Sequence, residues 1–246
     1  MEDAEKKEIA PEPKEGELIK EEEKKTSDKI LIWSIAIIIA LTLILVGSRY
    51  ITQKKEVPLT IDEMHQLNIK GKLPPEQGYL YNDAYSFVYI DGMWYSQVQS
   101  GNVLVNVPLR YGPKDVESIS LNGWLNEDFI KSESIFITFD PLSSDLTYTA
   151  LAVGELDQSL ISAFGNKIIA ACDKNETEFG DPIAACAGRP IKTCENSGDA
   201  IIYIIESEEP ELNLKGNCIE IKGRGIELLR HADRLLLEFY GVMKRN

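Results

Sequence analysis

The chain has 246 residues, of which 43% are hydrophobic and 27% charged, and its formal net charge is −14 at pH 7. A chain of this length fits one or two domains. Its acidity opposes binding to the phosphates of nucleic acid, and no basic stripe offsets that charge, so nucleic acid is not an expected partner.

The N-terminal segment, residues 1–29, is rich in Glu and Lys and contains Pro11 and Pro13. Such a composition offers too little apolar surface to form a core. We therefore predict a disordered, charged tail.

An uncharged segment of 19 residues runs from Ile30 to Ser48, with the sequence ILIWSIAIIIALTLILVGS. As a helix it would be about 28 Å long, close to the thickness of the hydrocarbon core of a bilayer. Lys29 and Arg49 flank it, and Trp33 lies where an interfacial aromatic residue is expected. We predict a transmembrane helix that contacts membrane lipid. A cleaved signal peptide remains an alternative, but the long polar segment before the apolar run favours an uncleaved signal anchor.

Lysine counts on the two sides of this segment indicate its orientation. Cytoplasmic flanks carry more Lys and Arg than the opposite side. The N-terminal flank contains Lys14, Lys20, Lys24, Lys25 and Lys29, against Arg49, Lys54 and Lys55 on the other side. We therefore expect a single-pass protein of the cell membrane, with a cytoplasmic N-terminus and an extracytoplasmic C-terminal domain.

All four cysteines, Cys172, Cys186, Cys194 and Cys218, follow the apolar segment. An even number on one side of a membrane is typical of disulfides in an oxidising compartment. The intervals of 13, 7 and 23 residues do not match zinc-site spacing, and no C-x-x-C redox motif is present, so we expect neither a metal nor a cofactor. Three pairings are possible. We favour Cys172–Cys186 with Cys194–Cys218, and a short Cys186–Cys194 loop is the main alternative.

A glycosylation sequon begins at Asn175 in the same region, followed by Glu176 and Thr177. It would be used only outside the cytoplasm, so it agrees with the expected orientation and makes Asn175 a candidate glycosylation site of a glycoprotein.

Residues 49–76 resemble a stalk with one short helix. The capping box formed by Thr60 and Glu63 predicts the start of that helix, and Gly71, Pro74 and Pro75 interrupt the chain after it. His65 lies within the helix, where a surface position is the ordinary expectation. The extracytoplasmic domain is then expected to comprise residues 77–246.

Two turn signals, Asp91-Gly92 and Gly101-Asn102, predict a three-stranded β-meander. Both turns imply registers that place the same apolar side chains on one face of the sheet, which supports the assignment. This apolar face would contain Tyr85, Phe87, Tyr89, Trp94, Val98, Val105, Val107 and Leu109.

Further elements are predicted along the rest of the chain. Strands are expected at 134–139 and 167–172, and a hairpin is expected between 200–205 and 217–222 across the acidic turn from Glu206 to Glu211. Helices are expected over about 145–164 and 225–243. The fold class is therefore α+β: a mainly antiparallel sheet with an N-terminal β-meander and two helices, stabilised by two disulfides.

The polar face of the meander is the candidate binding face. It carries Tyr95, Gln97, Asn106 and Arg110, which could recognise a peptide or a sugar by hydrogen bonds and one aromatic ring. Solvated polar faces are common in antiparallel sheets, so an unoccupied face is the alternative.

No nucleophile, phosphate-binding or metalloenzyme motif occurs in the sequence. His231 and Asp233 are two residues apart in a predicted helix and therefore point to different sides. We expect a membrane-anchored domain that serves binding or envelope scaffolding rather than catalysis, with a protein or glycan partner. The alternatives are a membrane-tethered hydrolase, whose carboxylates the sequence does not identify, and a receptor, which the tail disfavours because it contains no recognisable effector domain.

The cysteine assignment predicts a specific alkylation result. In denatured protein taken from its native host without reductant, we expect no cysteine to react, and all four to react after reduction, as read by mass spectrometry. After reduction, a membrane-impermeant reagent applied to intact cells should also label them. Four thiols that react without reduction would contradict both the disulfides and the compartment.

Overall fold

The structure is a computed structural model that describes residues 15–52, 58–174, 186–195 and 198–245. Asn175, the candidate glycosylation site, lies outside the described residues. The chain divides into two compact units, Met1–Pro58 and Leu59–Asn246, each considered separately below.

The first unit contains one long helix, α1, which spans Glu15–Thr52. Its segment Lys29–Arg49 has a mean hydropathy of 2.9 and none of it is buried, so this single apolar helix fits a membrane anchor or a signal. Ser34 and Thr42 donate hydrogen bonds to the carbonyls of Leu31 and Ile38 within the helix, which satisfies these hydroxyls without water. The structure extends the helix back to Glu15, into the tail that was predicted to be disordered.

The second unit begins with a four-stranded antiparallel sheet. Its strands are β1 (Gly78–Tyr81), β2 (Tyr85–Ile90), β3 (Met93–Ser100) and β4 (Val103–Leu109), in that spatial order. The predicted registers are confirmed, because Tyr89 pairs with Trp94 and Val98 pairs with Val105. Strand β1 extends the predicted meander by a fourth strand, which pairs with β2.

Helix α2 (Ile61–Ile69) begins at the predicted capping box, in which Thr60 and Glu63 exchange hydrogen bonds. It does not stand apart in a stalk. The helix packs on β1 and β2, where Asn68 Nδ2 donates to the carbonyls of Tyr79 at 2.9 Å and Phe87 at 3.1 Å. The compact unit that contains α2 starts at Leu59.

A second sheet follows in the sequence, and it is mixed. It contains β5 (Asn122–Leu125), β6 (Ser134–Phe139), β7 (Lys167–Cys172), β8 (Ala200–Glu206), β9 (Glu211–Gly216) and β10 (Cys218–Gly223), in the spatial order β5-β9-β10-β8-β6-β7. The pair β9–β10 is antiparallel and the pairs β5–β9, β10–β8, β8–β6 and β6–β7 are parallel. The expectation of a mainly antiparallel sheet holds for the first sheet and is wrong for the second.

The parallel pairings follow from how the chain connects the strands. Helix α5 (Leu146–Ser159), which continues as a π-helical turn to Phe164, carries the chain back across the sheet, so β7 runs parallel to β6. The predicted hairpin between β8 and β10 is wrong, because the segment after the acidic turn forms β9 and reverses the chain once more. Gly123 allows β5 to approach β9: a Cβ there would lie 2.0 Å from the carbonyl oxygen of Leu214.

Helices α5 and α6 (Ile226–Phe239) lie between the two sheets, where both contribute to one apolar core. The predicted boundaries of these two helices are close to those observed, and the short helices α3 (Pro113–Val116) and α4 (Glu127–Ile130) are additional. Phe87 and Leu109, from the apolar face of the meander, belong to the same core as Leu228 and Leu235 of α6. The domain is thus layered as sheet, helices, sheet.

The favoured cysteine pairing is the one found: Cys172 bonds Cys186 and Cys194 bonds Cys218. Closing a loop of this size stabilises a fold by about 3 kcal/mol. The segment between the two bonds also runs along strand β7, where the Cys172 amide donates to Pro190 and the Lys192 amide donates to Cys172. It therefore covers part of a strand that would otherwise be an exposed edge. Disulfides of this kind suggest an extracytoplasmic domain.

A buried polar cluster joins the meander to the helical layer. Asp233 of α6 is fully buried and accepts a hydrogen bond from the Tyr111 amide at 2.7 Å, while Arg110 donates to Glu155 of α5 at 2.8 Å. One guanidinium thus faces two buried carboxyl groups. Burial, reinforced by the nearby Glu155, raises the pKa of Asp233 well above its ordinary value.

Replacement of Asp233 by Asn should flatten the pH dependence of stability. A carboxyl whose pKa is higher in the folded chain contributes most below its unfolded pKa, and that contribution is lost as the pH rises through the folded pKa. Between about pH 5 and pH 8 we expect the free energy of unfolding, measured by urea titration, to decline less in Asp233→Asn than in the parent. The control is Asp157→Asn on α5. Equal slopes in the parent and in Asp233→Asn would contradict the assignment.

A candidate ligand cleft at the carboxyl ends of the parallel strands

A cleft opens where β6, β7 and β8 end. Because these strands are parallel, their carboxyl ends meet at one edge of the sheet. The cleft has a volume of about 390 Å³. Its lining comprises Phe139, Asp140, Ser143, Thr149, Asp173, Tyr203, Ile204, Ile205, Glu206, Ser207 and Glu208.

The position of this cleft follows from the topology. From β6 the chain crosses through α5 to β7 on one side, whereas β8 lies on the other side of β6. The chain leaves β8 for β9 and β10, on the side opposite to β7. The connection from β6 and the connection from β8 therefore diverge, which leaves a crevice above the carboxyl ends of these two strands. In open α/β sheets, ligands bind at this point where the strand order reverses.

Two aspartates in the cleft have partners within the protein. Asp140 directly follows β6, and its Oδ2 lies 2.9 Å from Lys174 Nζ. Asp173 directly follows β7 and accepts a hydrogen bond from the Tyr203 hydroxyl at 3.1 Å. Burial, together with the negative charge of Asp173, raises the pKa of Tyr203 to about 12, so this hydroxyl keeps its proton at neutral pH.

Glu206, the last residue of β8, is the most heavily bonded group in the cleft. It accepts hydrogen bonds from the hydroxyls of Ser143 and Ser144 and from the Ser144 amide, the last at 2.9 Å. Arg224 Nε lies 3.4 Å from the same carboxylate. These donors, led by the two hydroxyls, lower the pKa of Glu206 below its ordinary value, so the group is an anion at neutral pH.

Helices α5 and α6 both begin near this edge, and carboxylates of the protein accept hydrogen bonds from backbone amides just before each helix. Asp145, which precedes α5, accepts a hydrogen bond from the Gly225 amide at the start of α6 at 2.5 Å. Gly225 has φ of 60°, a conformation that favours glycine, which brings its amide into line. Glu206 meets the Ser144 amide just before α5. These two amides, which lie just before the helices, therefore already have carboxylate acceptors from the protein.

The binding face predicted from the sequence is engaged by the protein itself. Gln97 and Asn106 both donate to Asp62 of α2, at 2.9 and 3.0 Å, and Arg110 pairs with Glu155. Tyr95 is half-buried in the middle of the sheet, opposite Val88 and Pro108. The four side chains do not form one open surface, and ligand binding by this face stays a prediction.

Sequence reasoning missed the cleft because it depends on strand direction. A signal was present: each of three apolar strands is followed or ended by an acidic residue, Asp140, Asp173 or Glu206. That pattern becomes informative only when the strands are known to be parallel. His231 and Asp233 have separate partners, the Glu227 carbonyl and the Tyr111 amide.

Within the described residues, no group of three or more His, Cys, Asp or Glu side chains is arranged to hold a metal ion. The chain shows no significant match to any protein-family model, any curated protein or any solved structure. The geometry of the site is therefore the basis for a functional assignment.

The bond between Asp145 and Gly225 predicts a measurable loss of stability. Asp145→Ala leaves the amide of Gly225, the residue just before α6, without its acceptor, and removal of a capping group at a helix start costs about 1 kcal/mol. We expect a decrease of that size in the free energy of unfolding. Asp157→Ala, on the body of α5, is the matched control and should cost less. No difference between the two variants would contradict the capping role of Asp145.

Proposed function

We propose that this protein is a single-pass, membrane-anchored binding module whose disulfide-bonded domain, on the extracytoplasmic side, takes a ligand in the cleft above β6, β7 and β8. The apolar helix α1 would anchor the chain, and its orientation follows from the lysine-rich N-terminal flank. A peptide or a glycan is the expected class of ligand, either free or as part of an envelope component. Asn175 would be a glycosylated position in the same setting.

The observation that carries the proposal is the position of the cleft. It lies at the carboxyl edge of parallel strands, at the crossover point where α/β folds bind ligands. Its lining combines apolar and polar surface: Phe139 and Ile205 offer apolar contacts, and Tyr203 offers a hydroxyl. Binding sites for small ligands combine apolar walls with a few such polar groups.

The alternative, a hydrolase that uses carboxylates, receives less support from the cleft. A general acid requires a carboxyl with a raised pKa. The pKa of Glu206 is lowered by its serine donors, whereas the carboxyls with raised pKa values, Glu155 and Asp233, belong to the buried cluster between the meander and the helices. The arrangement favours holding a ligand over cleaving one.

Thermal unfolding of the intact chain in detergent micelles tests the proposal. The probes are a panel of amino acids, short peptides and oligosaccharides, each at a concentration well above a plausible Kd. A ligand at about 100 times its Kd stabilises by about 2.7 kcal/mol, which raises the Tm by several degrees. We expect at least one probe to do so in the parent chain.

Two variants make the result specific to the cleft. Ser207→Trp adds a bulky side chain at the cleft wall and should abolish the shift in Tm. Ser120→Trp, at an exposed position that does not line the cleft, should keep it. A panel in which no probe stabilises the parent, or a shift that survives in Ser207→Trp, would overturn the proposal.

A further inference from the structure

Helix α2 is held on the meander by several polar contacts in addition to the buried Met64. Asp62 Oδ1 accepts hydrogen bonds from Gln97 and Asn106, and Asn68 donates to Ser86 Oγ at 2.8 Å as well as to two sheet carbonyls. His65, at the centre of the helix, lies 2.8 Å from the same Ser86 hydroxyl through its Nδ1. An interface built in this way depends on the protonation state of its members more than an apolar interface does.

His65 is fully buried. Among the residues that the structure describes, no group accepts or donates a hydrogen bond at its Nε2. A neutral imidazole can leave one nitrogen without a proton, but an imidazolium carries a proton on both nitrogens and needs two acceptors. Charging this ring in place would therefore bury a cation with an unsatisfied donor.

The charged groups around His65 do little to offset the cost of burying a protonated ring. Strands β1, β2, β3 and β4 contain no Asp, Glu, Lys or Arg, so the sheet beneath α2 is uncharged. The tyrosines of these strands stay neutral in the acidic range. Asp62, on the same helix, is the charged group whose field reaches His65, and its favourable effect on the charged ring is smaller than the cost of burial. Burial accordingly lowers the pKa of His65 below its ordinary value of 6.5.

We propose that α2 is an acid-sensitive latch: protonation of His65, whose second ring proton would have no acceptor among the described residues in the docked position, releases the helix from the meander. Release exposes Ser86, Gln97 and Asn106, the polar groups of the sheet that α2 now occupies. It also frees residues 59–76, which in extended form would span about 60 Å. The latch is independent of the ligand proposed for the cleft.

The direction of the pH dependence follows from the linkage between protonation and docking. A histidine whose pKa is lowered by docking stabilises the docked state above its ordinary pKa. That stabilisation is lost as the pH falls below 6.5 toward the lowered value. The sequence contains one other histidine, His231 of α6, whose pKa is also lowered by burial.

Amide hydrogen exchange of the intact chain in lipid nanodiscs tests the latch. Protection factors, corrected for the intrinsic pH dependence of exchange, are compared for α2 and α6 at about pH 7.5 and pH 5. In the parent we expect protection of α2 to fall on acidification, by up to about tenfold for each unit by which docking lowers the pKa of His65. Protection of α6 should change less.

Two variants show whether His65 is the residue that causes the loss of protection in α2. His65→Gln has no titratable ring, so α2 should be equally protected at both pH values, whereas His231→Gln should keep the response of the parent. An unchanged α2 in the acidified parent, a loss of equal size in α6, or a response that persists in His65→Gln would each overturn the latch.

If α2 fails to dock in His65→Gln, a measurement on the parent chain alone tests whether protonation of His65 releases the helix. The His65 ring is titrated by NMR, and its midpoint is compared with the pH at which α2 loses protection. We expect a midpoint below 6.5 that coincides with the loss. A ring that titrates at its ordinary pKa, or a midpoint unrelated to the exchange of α2, would overturn the proposal.

Discussion

The packing of α5 and α6 between two sheets is the constraint on which the rest of this domain depends. Each helix must be apolar toward both layers, so α6 buries Leu228, Leu229, Leu235 and Leu236 together. Two buried carboxylates at the junction have specific partners: Asp233 Oδ2 accepts a hydrogen bond from the Tyr111 amide and Glu155 pairs with Arg110. The cost of burying such groups fixes how the meander meets the helices, because a shifted sheet would leave them without partners.

The same arrangement creates the cleft. Helix α5 is the crossover from β6 to β7, so its N-terminus comes to the carboxyl edge of the sheet, and α6 begins nearby after β10. Asp145 joins the two helix starts through the Gly225 amide. The shape of the cleft wall therefore depends on where the two helices begin. Carboxylates near this edge accept hydrogen bonds from backbone amides, as Glu206 does from Ser144.

The first sheet is covered on one face by a helix, and the second sheet is covered at one edge by a disulfide-bonded segment. The first sheet carries α2, held by polar contacts around His65 and Asn68. At the β7 edge of the second sheet, the segment between the two disulfides pairs with Cys172, and Lys192 lies over the ring of Phe136. A covalent attachment resists acid, whereas a polar one that includes a buried histidine does not. Acid would therefore release α2 but not the segment between the disulfides, which requires a reductant.

The sequence by itself determined the features that depend on neighbouring residues. Asp91-Gly92 and Gly101-Asn102 fixed the registers of the meander, the Thr60 and Glu63 pair fixed the start of α2, and the absence of charge from Ile30 to Ser48 fixed the apolar helix. The tertiary structure decided what depends on long-range contact: the parallel direction of β6, β7 and β8, the docking of α2, and the cleft. Strand direction is set by how α5 crosses the sheet, and the alternation of side chains along a strand is the same in parallel and antiparallel pairs.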